Sequence, residues 1–292
     1  MSSSQHPVAL TLERAFGLHR TVSGPTKLLA LVMFLPLIDG IFPALILAGG
    51  IDTVAGIVQV GLLVFGGSAT LAVILAEMDG TPREQARVVL LVAAGLLPLA
   101  ALEAALAPTI ASVLDLVIFE RFAALVIAAI AAKTASARIG EYLPSPAVIV
   151  GLGFVASVDP GSAELVFLPD PALVVRAVAA AGVGVAFALG IALLGPWLRE
   201  NVDIDRFRFG SAVALGVLPL TLLGVTPDQA PLAVLVVAGV LAFDPGSGVE
   251  RETGREALAN GGEDVEEDRS DRWDDGDDDV TYTTDDEREP WL

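Results

Sequence analysis

A carboxylate framed by two prolines, in Pro36-Leu37-Ile38-Asp39-Gly40-Ile41-Phe42-Pro43, is the first group in this sequence placed to do chemistry. It lies inside an apolar run from Leu28 to Ala48. Such a run is long enough to cross a bilayer, which takes about 20 residues at about 1.5 Å each. Counted from Leu28, Asp39 falls roughly 17 Å along, near the middle of a ~30 Å hydrocarbon core. An ionised carboxylate at that depth costs about 3 kcal/mol or more unless it is protonated, paired, ion-bound or facing a wet cavity. Val158-Asp159-Pro160-Gly161 repeats the arrangement inside a second apolar run, Pro146 to Leu168, and Glu103 stands nearer the outer end of a third, Val88 to Leu106.

The prolines sharpen the chemistry. Pro43 has no N–H, so the carbonyl left without its helical donor, four residues back, is that of Asp39 itself; Pro160 does the same for Ala156, Pro98 for Ala94 and Pro219 for Leu215. Pro36, Gly40, Pro43, Pro98, Pro160, Gly161 and Pro219 are therefore the expected helix interruptions. A carboxylate beside bare carbonyl oxygen suits a hard cation or a proton, and discontinuous midplane helices mark the binding sites of secondary transporters. Asp39 and Asp159, with Glu103 as a vestibule acid, are the expected ion- or substrate-binding residues.

The elements that must position these acids follow from composition. Hydrophobic residues make up 54% of 292, and several runs of 18 or more are nearly free of charge, which defines a polytopic helical membrane protein. The spans expected are Leu28–Ala48, Thr53–Ala76, Val88–Leu106, Leu116–Ala135, Pro146–Leu168, Ala172–Trp197, Phe209–Leu223 and Pro231–Phe243. Small residues at Gly66-Gly67-Ser68, and at Gly182, Ala186 and Gly190 four apart, read as helix-packing contacts. Residues 1–26, with Val8, Leu12, Ala15 and Phe16 at helical spacing, suggest a cytoplasmic or interfacial segment.

Charge is uneven. The formal charge is −19, and residues 244–292 hold 19 acids against 5 arginines, or −14, leaving −5 for the rest. Residues 245–292 read as a disordered acidic tail, a solvating segment or one that meets a cytoplasmic partner. An EF-hand loop centred on Gly276 would put Trp273 and Tyr282 at ligand positions, so that motif is rejected. Bases gather in alternate connections, at Arg83/Arg87, Lys133/Arg138 and Arg199/Arg206/Arg208, which places both termini in the cytoplasm across eight spans in a cell membrane.

Gly95-Leu96-Leu97-Pro98-Leu99 matches Gly216-Val217-Leu218-Pro219-Leu220, and Asp39 and Asp159 precede these by 56 and 57 residues. The expectation is an all-α protein of two similar four-helix halves, residues 27–143 and 144–244, with Asp39 and Asp159 at equivalent depths. Asp159-Pro160-Gly161-Ser162 recurs as Asp244-Pro245-Gly246-Ser247, outside that register.

Several classes drop out. With no cysteine, and histidine only at His6 and His19 before the first span, thiolate chemistry, cysteine-ligated metal and intramembrane histidine catalysis are excluded. No basic footprint for nucleic acid exists, and no cofactor or metal is expected. Gly151-Leu152-Gly153-Phe154-Val155-Ala156 mimics a dinucleotide fingerprint without the strand that motif needs, so it reads as packing. An intramembrane aspartyl protease needs two such aspartates, but neither flanking motif of those families is present. A non-catalytic membrane scaffold is the main alternative to the reading that fits best. That reading is a small-ion or small-solute secondary transporter, not an enzyme, whose partners are the lipid bilayer and a small cation or proton.

The acidic tail, the lysine-poor and cysteine-free composition and the run Leu35-Pro36-Leu37-Ile38-Asp39-Gly40 resemble an uncharacterised family of multi-pass membrane proteins of salt-loving archaea, over about residues 20–245. The resemblance implies the membrane fold and no activity.

Overall fold

A computed structural model of the chain describes residues 24–159 and 170–245. The chain divides into residues 1–248 and 249–292, and every described residue belongs to the first unit. The N-terminal segment to residue 23, the stretch 160–169 that includes Pro160 and Gly161, and the acidic tail lie outside the described residues.

The helices among the described residues are α1 Gly24–Ile38, α2 Ile41–Leu47, α3 Val54–Phe65, α4 Ser68–Glu77, α5 Pro82–Ala111, α6 Leu116–Ala135, the single turn α7 Ala137–Gly140, α8 Pro146–Ser157, α9 Pro171–Asn201, α10 Ile204–Leu222 and α11 Ala230–Ala242. Among the described residues there is no strand, only two isolated bridges. Their starts are written in the sequence. Thr81 and Glu84 form a reciprocal capping box on α5, and the carboxylates of Asp115, Asp170 and Asp203 accept the first N–H groups of α6, α9 and α10. Pro82, Pro146 and Pro171 open their helices, where a missing N–H removes nothing.

The units α1–α2, α5 and α9 are long and apolar enough to cross a membrane, and α3–α4 adds a fourth if the bent pair counts as one span. Large apolar side chains such as Leu91, Leu102, Val155, Leu193, Phe209 and Val240 point outward, the surface a helical protein shows to lipid.

Helix α5 packs along α9, with α3–α4 also against α9; α10 packs on α11 and on α6, and α6 on α8. Alanine dominates the buried faces of both helices, with Ala93, Ala100, Ala104 and Ala107 on α5 and Ala177, Ala180, Ala181, Ala188 and Ala192 on α9. Small side chains let the backbones close together without a hydrophobic drive from lipid.

Four expectations are corrected. The stripe Gly182, Ala186, Gly190 is not the packing face, since a Cβ at either glycine would meet nothing and Ala186 is exposed; the close approach is at Gly184, on nearly the opposite face of α9, where Phe65 of α3 seats. Pro98 and Pro219 do not break helices, for α5 and α10 continue through them; each removes one hydrogen bond from a helix held by its neighbours. The described part of the fifth span is helical only to Ser157. Finally, element pairing does not repeat in four-span register: α10 packs on α11, while α5, its expected counterpart, packs on α9, α1 and α2.

Candidate functional site

The first span breaks where its carboxylate stands. Helix α1 ends at Ile38, the Asp39 N–H donates to Leu35 O at 2.8 Å and Gly40 N–H to Leu37 O at 3.1 Å, and α2 begins at Ile41. Gly40 has φ 75°, and a Cβ there would press on Val150 Cγ1 at 3.2 Å. Only glycine meets both demands. Pro36 lies in the last turn of α1 and Pro43 in the first of α2, so Pro43 withholds the N–H that would cover Asp39 O. Asp39 itself is half-buried, and the Lys133 ammonium on α6 acts on it electrostatically.

The second span breaks too, at a place the sequence suggested only for packing. Gly66 N–H reaches back five residues to Gly61 O at 2.8 Å, and α3 and α4 meet at a 48° bend. The first turn of α4 has no side-chain cap at Gly67. Thr70, buried, turns its hydroxyl onto Phe65 O at 2.9 Å, repairing one carbonyl. A Cβ at Gly66 would run into the Phe187 ring and at Gly67 into Leu63 O, so close approach fixes both glycines.

The two breaks meet. Phe42, three residues after Asp39, and Phe65, directly before Gly66, pack edge to face with ring centroids 4.8 Å apart. Both rings are fully buried. Behind them α9 closes in: a Cβ at Gly61 would overlap Ala180 O, and one at Gly184 would overlap Phe65 Cβ.

Each end of the second span is tied to α9. At one end Arg199 donates Nε to Leu75 O at 2.8 Å and Nη2 to Ile74 O and Met78 O at 3.3 and 3.4 Å. A guanidinium thus covers the carbonyls at the C-terminus of α4, where the helix dipole also favours positive charge. Gln85, 2% exposed, adds its Nε2 to Met78 O at 2.6 Å, and its Oε1 is buried without a partner among the described residues. At the other end Arg176 and Asp52 form an exposed 3.0 Å ion pair.

Of the remaining acids, Glu103 lies on α5, which also packs against α2; it is half-buried, and its Oε2 has no hydrogen-bond partner among the described residues. Asp159 stands elsewhere. It is exposed, two residues beyond the end of α8, with its N–H donated to Val113 O at 3.1 Å. Gly40 packs on Val150, seven residues before the end of α8, and Asp159 follows two residues after that end, so the two aspartates stand at different heights along α8, more than about 10 Å apart. Their expected meeting across a symmetry axis does not occur, and a protease dyad, which needs carboxylates in hydrogen-bond reach, is not assembled. No group of three or more metal-ligating side chains occurs among the described residues.

Sequence reasoning found the Asp39–Gly40 break through its prolines and missed the Gly66–Gly67 break, whose signal, two adjacent glycines mid-span, is shared with packing contacts. Residues 96–223, from α5 to the residue after α10, match a family of unknown function (DUF5794). Glu103 and Asp159 fall within that stretch, and Asp39 and both helix breaks fall before it. No curated protein and no solved structure matches the chain. The chain is thus similar, over α6, α8, α9, α10 and part of α5, to an uncharacterised domain.

Proposed function

We propose that this protein is a secondary transporter of a small cation or proton, working at the junction of its two broken spans with Asp39 as the exchanging carboxylate. The observation that carries the reading is the contact of Phe42 and Phe65, the rings that flank the two breaks, with a carboxylate and the carbonyl that Pro43 leaves uncovered at the first of them. Interrupted helices at membrane depth leave polar backbone where lipid offers no partner, and they persist where they line a site.

In this reading the protein crosses the membrane eight times, through α1–α2, α3–α4, α5, α6, α8, α9, α10 and α11, with both termini cytoplasmic. Alternating basic loops support the orientation, although α8 and α11, at 12 and 13 residues, are about 18–20 Å long and need local thinning or flanking turns. Asp39 binds the cation or proton, Lys133 competes for it when the site is empty, and Glu103 serves as a second stop along α5. Asp159 takes no part in binding.

The test is reconstitution. Proteoliposomes carrying the full chain, given a proton gradient and a panel of Na⁺, K⁺, Li⁺, Mg²⁺ and Ca²⁺, are expected to show gradient-driven flux of at least one species above protein-free liposomes. Flux equal to protein-free liposomes for every species and for protons would overturn the reading.

A further inference from the structure

Element pairing does not repeat in the four-span register, yet Asp159 and Asp244, which open the two Asp-Pro-Gly-Ser sequences outside that register, take matching places in the fold. We infer that residues 81–159 and 170–245 are two copies of one three-helix unit, inserted in the membrane in opposite senses, and that this inverted pair is the scaffold on which the broken spans alternate between faces. The repeat rests on sequence and geometry alone; its use for alternating access rests on the transport reading above.

Sequence landmarks come in one order in both copies. Pro82, Arg87 and Gly95 correspond to Pro171, Arg176 and Gly184 at an offset of 89; Pro108, Asp115 and Phe119 to Pro196, Asp203 and Phe207 at 88; Pro146 and Asp159-Pro160-Gly161-Ser162 to Pro231 and Asp244-Pro245-Gly246-Ser247 at 85. Four residues lost from connections and helix turns account for the drift. Helix lengths agree pairwise, 30 and 31 residues for α5 and α9, 20 and 19 for α6 and α10, 12 and 13 for α8 and α11.

The contacts agree as well. Leu114 bridges Val158 and Val202 bridges Phe243, both antiparallel. Around the first, Asp115 N–H donates to Ser157 O at 2.6 Å and Asp159 N–H to Val113 O at 3.1 Å; around the second, Asp203 N–H donates to Ala242 O and Asp244 N–H to Asn201 O, both at 2.8 Å. Asp115 and Asp203 also cap α6 and α10 through one Oδ1 bonded to two successive N–H groups. Inside each unit one glycine admits the partner helix at an equivalent pair of positions: Gly153 against Phe122 Cβ in the first, Gly210 against Ala238 Cβ in the second. The pair is conserved in place while the glycine has changed sides.

Three helices are an odd number, so consecutive copies enter the membrane with opposite topology, related by a two-fold axis in the membrane plane. Around such an axis the elements nearest it meet their own equivalents, as α5 packs on α9 and α6 on α10. The corresponding glycines each seat one broken span: a Cβ at Gly95 would press on the Phe34 ring at 3.0 Å, and one at Gly184 on Phe65. Each copy therefore cradles one broken span.

Because the chain has no cysteine, introduced thiols report without background. Tyr142→Cys, between α6 and α8, and Asp228→Cys, between α10 and α11, occupy connections of the two copies; an impermeant maleimide is expected to label them from opposite faces of sealed vesicles, and labelling from the same face overturns the inversion. The pairs Leu114→Cys/Val158→Cys and Val202→Cys/Phe243→Cys sit at non-hydrogen-bonded bridge positions, where Cα separations of about 4.5 Å admit a disulfide. Both are expected to cross-link to similar extents under mild oxidation, and cross-linking of only one overturns the equivalence. Ser68→Cys, a near-isosteric change at the α3–α4 break, is expected to be labelled slowly from either face. Labelling from one face only, or from neither, would end the alternation and leave the repeat standing.

Discussion

At the scale of single residues, the molecule separates charges that hold structure from the one proposed to work. Arg199 closes three carbonyls at the end of α4, and Arg199→Met is expected to cost about 2 kcal/mol, since hydrogen bonds from a charged donor contribute about 1.5–3 kcal/mol and the carbonyls would be left bare. Denaturation in mixed detergent micelles measures it. The Arg176–Asp52 pair is well exposed, so Asp52→Asn should shift the same transition by no more than about 0.5 kcal/mol. Glycine shows the same division. Gly184→Ala drives a methyl into Phe65 and is expected to destabilise by about 1–3 kcal/mol, whereas Gly182→Ala meets nothing and should be neutral or stabilising by up to about 1 kcal/mol, because alanine suits a helix better. Equal effects of the two changes would show that α9 does not seat on Phe65 as described.

At the scale of elements, the sequence revealed helices more readily than their interruptions. Apolar runs marked the helices, though α5 starts at Pro82 rather than Val88 and α10 at Ile204 rather than Phe209, and Pro-flanked Asp39-Gly40 marked the first break. Gly66-Gly67 did not mark the second, since an apolar run with two glycines reads alike whether a neighbour packs on it or the helix bends through it. The end of α8 was hidden for a related reason: hydropathy from Pro146 to Leu168 does not change at Ser157, and what stops the helix there is backbone pairing of Ser157 with Asp115 and of Asp159 with Val113, partners 42 and 46 residues away in sequence. Those paired clasps bring their own prediction. Asp115→Ala and Asp203→Ala each remove a side-chain cap at an equivalent position, so each should cost about 1 kcal/mol. A difference of more than about 1.5 kcal/mol between them, by the same micellar denaturation, would argue against equivalent units.

At the scale of the whole molecule, two broken spans lie against a helical scaffold whose outer faces are apolar and whose buried faces are rich in alanine. The four-span duplication drew on a Gly-Leu-Leu-Pro-Leu match that joins α5 to α10, helices with different partners. The inverted register was harder to see because its offset falls from 89 to 85 along the unit and because antiparallel copies share few side-chain environments outside their clasps. What remains anchored to Asp39 is the functional claim. Its most direct test is flux through proteoliposomes bearing Asp39→Asn or Asp159→Asn beside the unaltered chain. The account predicts at least a tenfold loss for Asp39→Asn and less than a twofold change for Asp159→Asn; undiminished flux in Asp39→Asn, or equal losses in both, would contradict it.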